Sequence, residues 1–122
     1  MDFQSAVKTA LDKFATFDGR ARRSEYWWFY LAVVLALIVA GVIDTALGFG
    51  TILYGLVGLA AIVPVLAAGA RRLHDTGRSG WFLLIGLIPI VGGIILIIFL
   101  AQDTKPEVNQ WGPPAKGPAL PG

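Results

Sequence analysis

Cysteine is absent, and histidine and methionine occur once each. Without cysteine there is no disulfide, no thiolate metal site and no thiol nucleophile. A single histidine, His74, falls short of the three or four ligands that zinc requires, and of the several histidines that metal-dependent phosphohydrolases recruit. Charge is scarce too: 15% of the residues are Asp, Glu, Lys or Arg against 56% hydrophobic, well outside the mix of a soluble domain. The scarcity is regional. No Asp, Glu, Lys or Arg occurs from Tyr26 to Ile43, from Thr45 to Ala70, or from Ser79 to Gln102. Crossing a bilayer takes about 20 residues at roughly 1.5 Å of rise each, so each run is long enough.

What remains between and before these runs is polar and ordered. Phe3, Val7, Ala10, Leu11 and Phe14 recur at helical spacing, with Gln4, Lys8, Asp12 and Lys13 on other faces, which predicts an amphipathic helix lying along the membrane interface. Asp18-Gly19 marks a turn. Arg20, Arg22 and Arg23 follow, then Ser24 as an expected helix N-cap, Glu25 in the first helical turn, and the aromatic belt Tyr26-Trp27-Trp28. Ala32, Ala36 and Ala40 form a stripe of small residues suited to close helix packing. Pro64 is expected to kink the second run, and Pro89 with Gly92-Gly93 interrupts the third. No short h-region with a small-residue cleavage site precedes Tyr26, so the first run reads as an uncleaved anchor.

The predicted fold class is thus an all-α membrane protein, with an N-terminal amphipathic helix over 2–17 and three transmembrane helices over about 26–43, 51–70 and 81–101. These make one membrane domain, 1–112, followed by a flexible Pro/Gly-rich tail over 113–122. A hairpin turning back between Pro89 and Gly93 is the alternative for the third run. Irregular backbone at membrane depth is tolerated when buried in protein. Flanking cations set the orientation: Lys8, Lys13, Arg20, Arg22, Arg23, Arg71, Arg72 and Arg78 lie on one side of a three-span topology, Lys105 and Lys116 on the other. The positive-inside rule then puts the N-terminus and the 71–80 loop in the cytoplasm and the C-terminus in the periplasm.

Chemistry concentrates in Arg71-Arg72-Leu73-His74-Asp75-Thr76-Gly77-Arg78-Ser79-Gly80-Trp81. A carboxylate beside an imidazole suggests a base and its orienter, but no nucleophile, phosphate loop or metal set accompanies the pair. No catalytic residue, metal or cofactor is therefore assigned. Trp27, Trp28 and Trp81 belong to interfacial belts, which argues against nucleic acid. The expectation is a non-enzymatic protein with a cytoplasmic polar network of Arg20, Arg23, Glu25, Arg71, Arg72, His74, Asp75 and Arg78, in which Glu25 pairs with an arginine of the second cluster. Surplus arginines would meet anionic lipid headgroups or a membrane partner, including a second copy of the chain. Two alternatives stand beside it: an oligomeric transporter or channel component, and a lipid-modifying enzyme using His74 and Asp75.

The string Phe17-x-Gly19-Arg20-x-x-Arg23-x-Glu25-Tyr26-Trp27, then the 71–81 motif, then Pro89 with Gly92, then Asn109-x-x-Gly112-x-Pro114, resembles the bacterial inner-membrane family called domain of unknown function 805. The resemblance covers nearly the whole chain in order. It departs at Gln110-Trp111, where the family often has a basic residue and Tyr or Phe. It implies a small multi-pass inner-membrane protein with no established activity. Beyond the network residues it marks Gly19, Ser79, Trp81, Asn109 and Gly112 as motif positions of unknown role.

Overall fold

A computed structural model describes residues 2–105 and 107–115. Among them the chain is helical: α1 (Phe3–Asp12), α2 (Arg23–Leu47), α3 (Ile52–Asp75), a 3₁₀ segment (Gly80–Leu87) and α4 (Val91–Ala101). Among the described residues only α2 and α3 are both long and apolar enough to cross a membrane; α4 is a shorter apolar helix.

α1 starts where Asp2 accepts the Ser5 amide at 2.8 Å, a bond that holds the Asp2 carboxyl below its ordinary value. It ends at Asp12, short of the expected Phe17, and buries Ala6 and Ala10 against the bundle. Phe3, Leu11 and Phe14 remain exposed, so its apolar side is only partly covered by protein. α2 begins at Arg23 with no side-chain cap, and Ser24 lies inside the first turn rather than capping it.

α2 and α3 pair along their lengths through a short turn whose fastener is Asp44. That carboxylate is buried within α2, where Oδ1 and Oδ2 accept the Leu53 and Tyr54 amides at 3.0 Å each. It thereby caps the orphan donors that open α3. Of the Ala32, Ala36 and Ala40 stripe only Ala40 is buried. The tightest small-residue surface is instead Ala67–Ala70 on α3. A Cβ on Gly69 would stand 3.1 Å from Leu83, and one on Gly80 would stand 3.1 Å from Ala70. α3 runs uninterrupted through Pro64.

The third apolar run is not one helix over 81–101. Pro89 disfavours helical backbone at the residue before it, and Ile88 is accordingly extended, at φ −76° and ψ 119°. Ile90 then adopts φ 64° and ψ −64°, with the Val91 amide donating to the Pro89 carbonyl at 2.7 Å. This is the rarer, strained form of γ-turn, and it reverses the chain. The two arms match in length: 8 residues of 3₁₀ helix rise about 16 Å, and 11 of α-helix rise about 16 Å. They touch so closely that a Cβ on Gly92 would lie 1.8 Å from the Ile85 carbonyl oxygen.

Both ends of this hairpin meet the same end of α3. Gly80 abuts Ala70 and His74. At the other end the Leu100 carbonyl accepts from Arg72 Nε at 2.9 Å and Trp27 Nε1 at 3.3 Å, and the Ala101 carbonyl accepts from Arg23 at 3.1 Å. Three donors, two of them cationic, thus satisfy the C-terminal carbonyls of α4. In consequence the segment after Ala101 lies beside the 71–80 loop, not at the far end of the bundle as a straight third span would require. Residues 116–122, which include Lys116 and most of the expected flexible tail, lie outside the described residues.

Candidate functional site

The end of the bundle where α3, the 3₁₀ segment and α4 converge holds a buried ionic core centred on Asp75. This side chain is fully buried and sits in the last turn of α3. Oδ1 accepts Arg20 Nε at 2.8 Å and the Ala115 amide at 3.0 Å. Oδ2 accepts Arg72 Nη1 at 2.9 Å and the Thr104 hydroxyl at 2.6 Å. A carboxylate has about four acceptor positions, and all are taken.

Arg20 reaches Asp75 from the turn that follows α1, and its other donors go to backbone carbonyls. Nη1 donates to Glu107 at 2.7 Å and Gly112 at 3.1 Å; Nη2 donates to Asp75 at 3.0 Å and Lys105 at 2.6 Å. One side chain therefore staples three carbonyls of the C-terminal segment to the end of α3. A planar guanidinium with a rigid fork of five N–H donors suits this task as no amine would. Lys105 adds a backbone bond, its amide donating to the Asp75 carbonyl at 2.9 Å.

Arg71 points the other way. Its Nη1 meets Glu25 Oε2 at 2.5 Å and its Nε donates to the Thr16 carbonyl at 3.0 Å, joining α3 to the start of α2 and to the turn after α1. Arg72 divides its donors among Asp75, Leu100 and Ala21. Both side chains are fully buried, and among the described residues Nη2 of each has no partner. Glu25 therefore pairs with the first arginine of the second cluster, and Arg72 with Asp75. Arg78 stands apart from the core: it bonds Gln102 at 2.6 Å and lies 4.1 Å over the Phe99 ring, holding the end of α4. Arg23 is exposed and serves the same end of α4 through Ala101.

His74 and Asp75 are neighbours in sequence but not partners. The imidazole Nδ1 meets the Gly19 carbonyl at 2.8 Å, and the ring stacks on Trp111 with centroids 4.2 Å apart and planes 3° apart. A carbonyl only accepts, so in the neutral ring Nδ1 carries the proton and Nε2 keeps its lone pair. Asp75 does not orient this imidazole, which removes the base-and-orienter pair from which the lipid-modifying alternative was built.

Trp111 is delivered to His74 by a tight turn. Asn109 and Gly112 exchange backbone bonds at 3.1 and 3.0 Å, Asn109 Oδ1 accepts the Trp111 amide at 2.9 Å, and Asn109 Nδ2 donates to the His74 carbonyl at 2.9 Å. Gly112 takes φ +116°, which a side chain would strain. Gly19, at φ +89°, turns the chain so that its carbonyl faces His74. Ser79 accepts the Trp81 amide at 3.3 Å and so caps the 3₁₀ segment, while Trp81 is 78% exposed.

Sequence reasoning missed Thr104, Trp111, Thr16 and Asp44 as partners in this architecture. Asp44 carried a signal, being the one charge between the first two apolar runs. The Thr16, Lys105 and Glu107 contacts carried none, because they are made by backbone carbonyls.

Beside His74 a groove of about 480 Å³ opens between the end of α3 and the 3₁₀ segment. Its rim carries Asp18, His74, Ser79, Trp81 and Trp111, and its apolar floor runs along Leu66, Leu83 and Leu84.

Two lipid-length helices, an apolar hairpin and a polar core closing one end define a small helical membrane protein. A family model described as "Protein of unknown function (DUF805)" matches residues 14–113, and the chain belongs to that family. It is 40% identical over 111 residues to "Inner membrane protein YhaH" of Escherichia coli (strain K12), covering 87% of this chain and 92% of that protein. To "Inner membrane protein YhaI" of the same strain it is 38% identical over 105 residues, covering 85% and 89%. No solved structure matches the chain.

Proposed function

We propose that the chain is a non-enzymatic, lipid-associated protein of the inner membrane, with two spans, a re-entrant hairpin and both ends of the described chain on the cytoplasmic side. The arms of the hairpin, each about 16 Å, fall short of the roughly 30 Å hydrocarbon core. All the described Lys and Arg residues flank the end that holds Asp75, and the turn around Gly48 and Gly50 has none. That asymmetry supports a cytoplasmic polar end under the positive-inside rule. The exposed apolar side chains of α1 suit an interfacial helix on the same side.

The observation that carries the non-enzymatic reading is the complete occupation of Asp75. A carboxylate whose four acceptor positions are filled by internal donors fixes conformation; it is not poised to take a proton or bind a metal. Asp75→Asn leaves Arg20 and Arg72 buried beside a neutral group, and breaking a buried pair in this way costs about 3 kcal/mol or more. The expected outcome is loss of membrane accumulation in Asp75→Asn, while His74→Ala, which removes no ion pair, still accumulates. Normal accumulation of Asp75→Asn together with loss of a cellular phenotype would instead give the carboxylate a chemical role.

A further inference from the structure

We infer that the groove beside His74 binds a phospholipid whose headgroup ends in a primary amine. The inference rests on the lipid-associated reading above and names the headgroup class.

Charge complementarity favours this headgroup. Three of the arginines that the sequence offers to anionic headgroups, Arg20, Arg71 and Arg72, are buried, and their donors are aimed at Asp75, Glu25 and backbone carbonyls. Among the described residues no Lys or Arg lines the groove. Among the described residues the one charged group on its rim is the exposed carboxylate of Asp18. A net-anionic headgroup would meet repulsion here, while an ammonium meets attraction.

The neutral rim groups fit the same ligand. With Nδ1 engaged by Gly19, the His74 Nε2 lone pair is an acceptor for an ammonium N–H. Phe17 and Trp111 add aromatic surface of the kind that attracts a cation. The Ser79 hydroxyl accepts from the Trp81 amide and keeps its own hydrogen to donate to a phosphodiester. Below the rim, Leu66, Leu83 and Leu84 continue the groove into the apolar zone, where an acyl chain would lie. The volume is in the range of sites for small ligands, and Trp81 at the mouth sits where interfacial indoles gather.

The test is native mass spectrometry of the full chain in detergent, with phosphatidylethanolamine, phosphatidylcholine and phosphatidylglycerol of identical acyl chains at equal concentration. The expected result is retention of the ethanolamine lipid about threefold over the glycerol lipid, the scale of one exposed ion pair with aromatic support. Asp18→Asn should erase that preference without moving the unfolding temperature, because Asp18 is exposed. Leu84→Trp, which fills the floor, should lower retention of all three. Equal or better retention of phosphatidylglycerol, equal retention of the choline lipid, or a preference that survives Asp18→Asn would overturn the headgroup assignment alone. Failure of the wild type to retain any of the three would overturn the lipid-associated reading with it.

Discussion

At the scale of single residues, the arginines of this chain act as connectors. Charges at a membrane surface are read from sequence as anchors, and Arg20, Arg71 and Arg72 have the right positions for that role. Each is instead withdrawn from solvent and lipid, and each joins segments far apart in the chain: Arg20 joins the turn after α1 to the C-terminal segment, Arg71 joins α3 to that same turn and to the start of α2, and Arg72 joins the hairpin to Ala21. Burial at this cost is offset where most of the donors find acceptors, as they do here for all but Nη2 of Arg71 and of Arg72 among the described residues. Arg20→Lys keeps the charge but loses the fork, and three ammonium donors on one atom cannot reach Asp75 and three carbonyls at different positions. It should lower stability in detergent by about 2 kcal/mol, since two or more charged hydrogen bonds are lost. A wild-type unfolding temperature for Arg20→Lys would mean that the C-terminal segment is held by other contacts.

At the scale of elements, α2 and α3 were legible and the third apolar run was not. Charge-free runs of helical length bounded by arginines and an aspartate locate the first two. Their ends shift because Asp44 and the 71–75 turn stay helical while buried, which hydropathy treats as termination. The run from Trp81 to Ala101 has the same composition whether it spans or folds back. The deciding features are stereochemical: Pro89 releasing Ile88 from the helix, the turn at Ile90, and the contact of Gly92 with the facing arm. Two neighbouring glycines separate these causes. Gly92→Ala drives a Cβ into the Ile85 backbone oxygen, which is not a flexible side-chain end, while Gly93 faces open space. Gly92→Ala should cost about 3 kcal/mol or open the hairpin, and Gly93→Ala should be neutral or stabilise by about 0.5 kcal/mol through helix propensity. Thermal unfolding of both variants in the same detergent checks this; equal effects would remove the close crossing from the explanation.

At the scale of the whole molecule, the candidate site was legible in composition but not in connection. The sequence marks the 71–81 motif, the 19–25 motif and Asn109 with Gly112 as separate polar islands. The stretch from Gln102 to Gly112 has no periodicity and reads as a featureless lead into the flexible 113–122 tail, because nothing in its side chains announces that the carbonyls of Lys105, Glu107 and Gly112 will face one guanidinium. The fold gathers all three islands at one end because the hairpin returns the chain to its starting surface. His74 then stacks on Trp111, and the Asn109–Gly112 turn closes over the end of α3.

That gathering is also what most directly separates a re-entrant hairpin from a third span. The absence of cysteine makes single-cysteine labelling clean. Val108 is 73% exposed in the C-terminal segment, and Phe49 is 45% exposed in the turn between α2 and α3. With two spans and a hairpin, a membrane-impermeant thiol reagent added to intact spheroplasts should label Phe49→Cys and leave Val108→Cys unlabelled until the membrane is permeabilised. Labelling of Val108→Cys in intact spheroplasts would place the C-terminal segment across the membrane from the Asp75 core and contradict the hairpin.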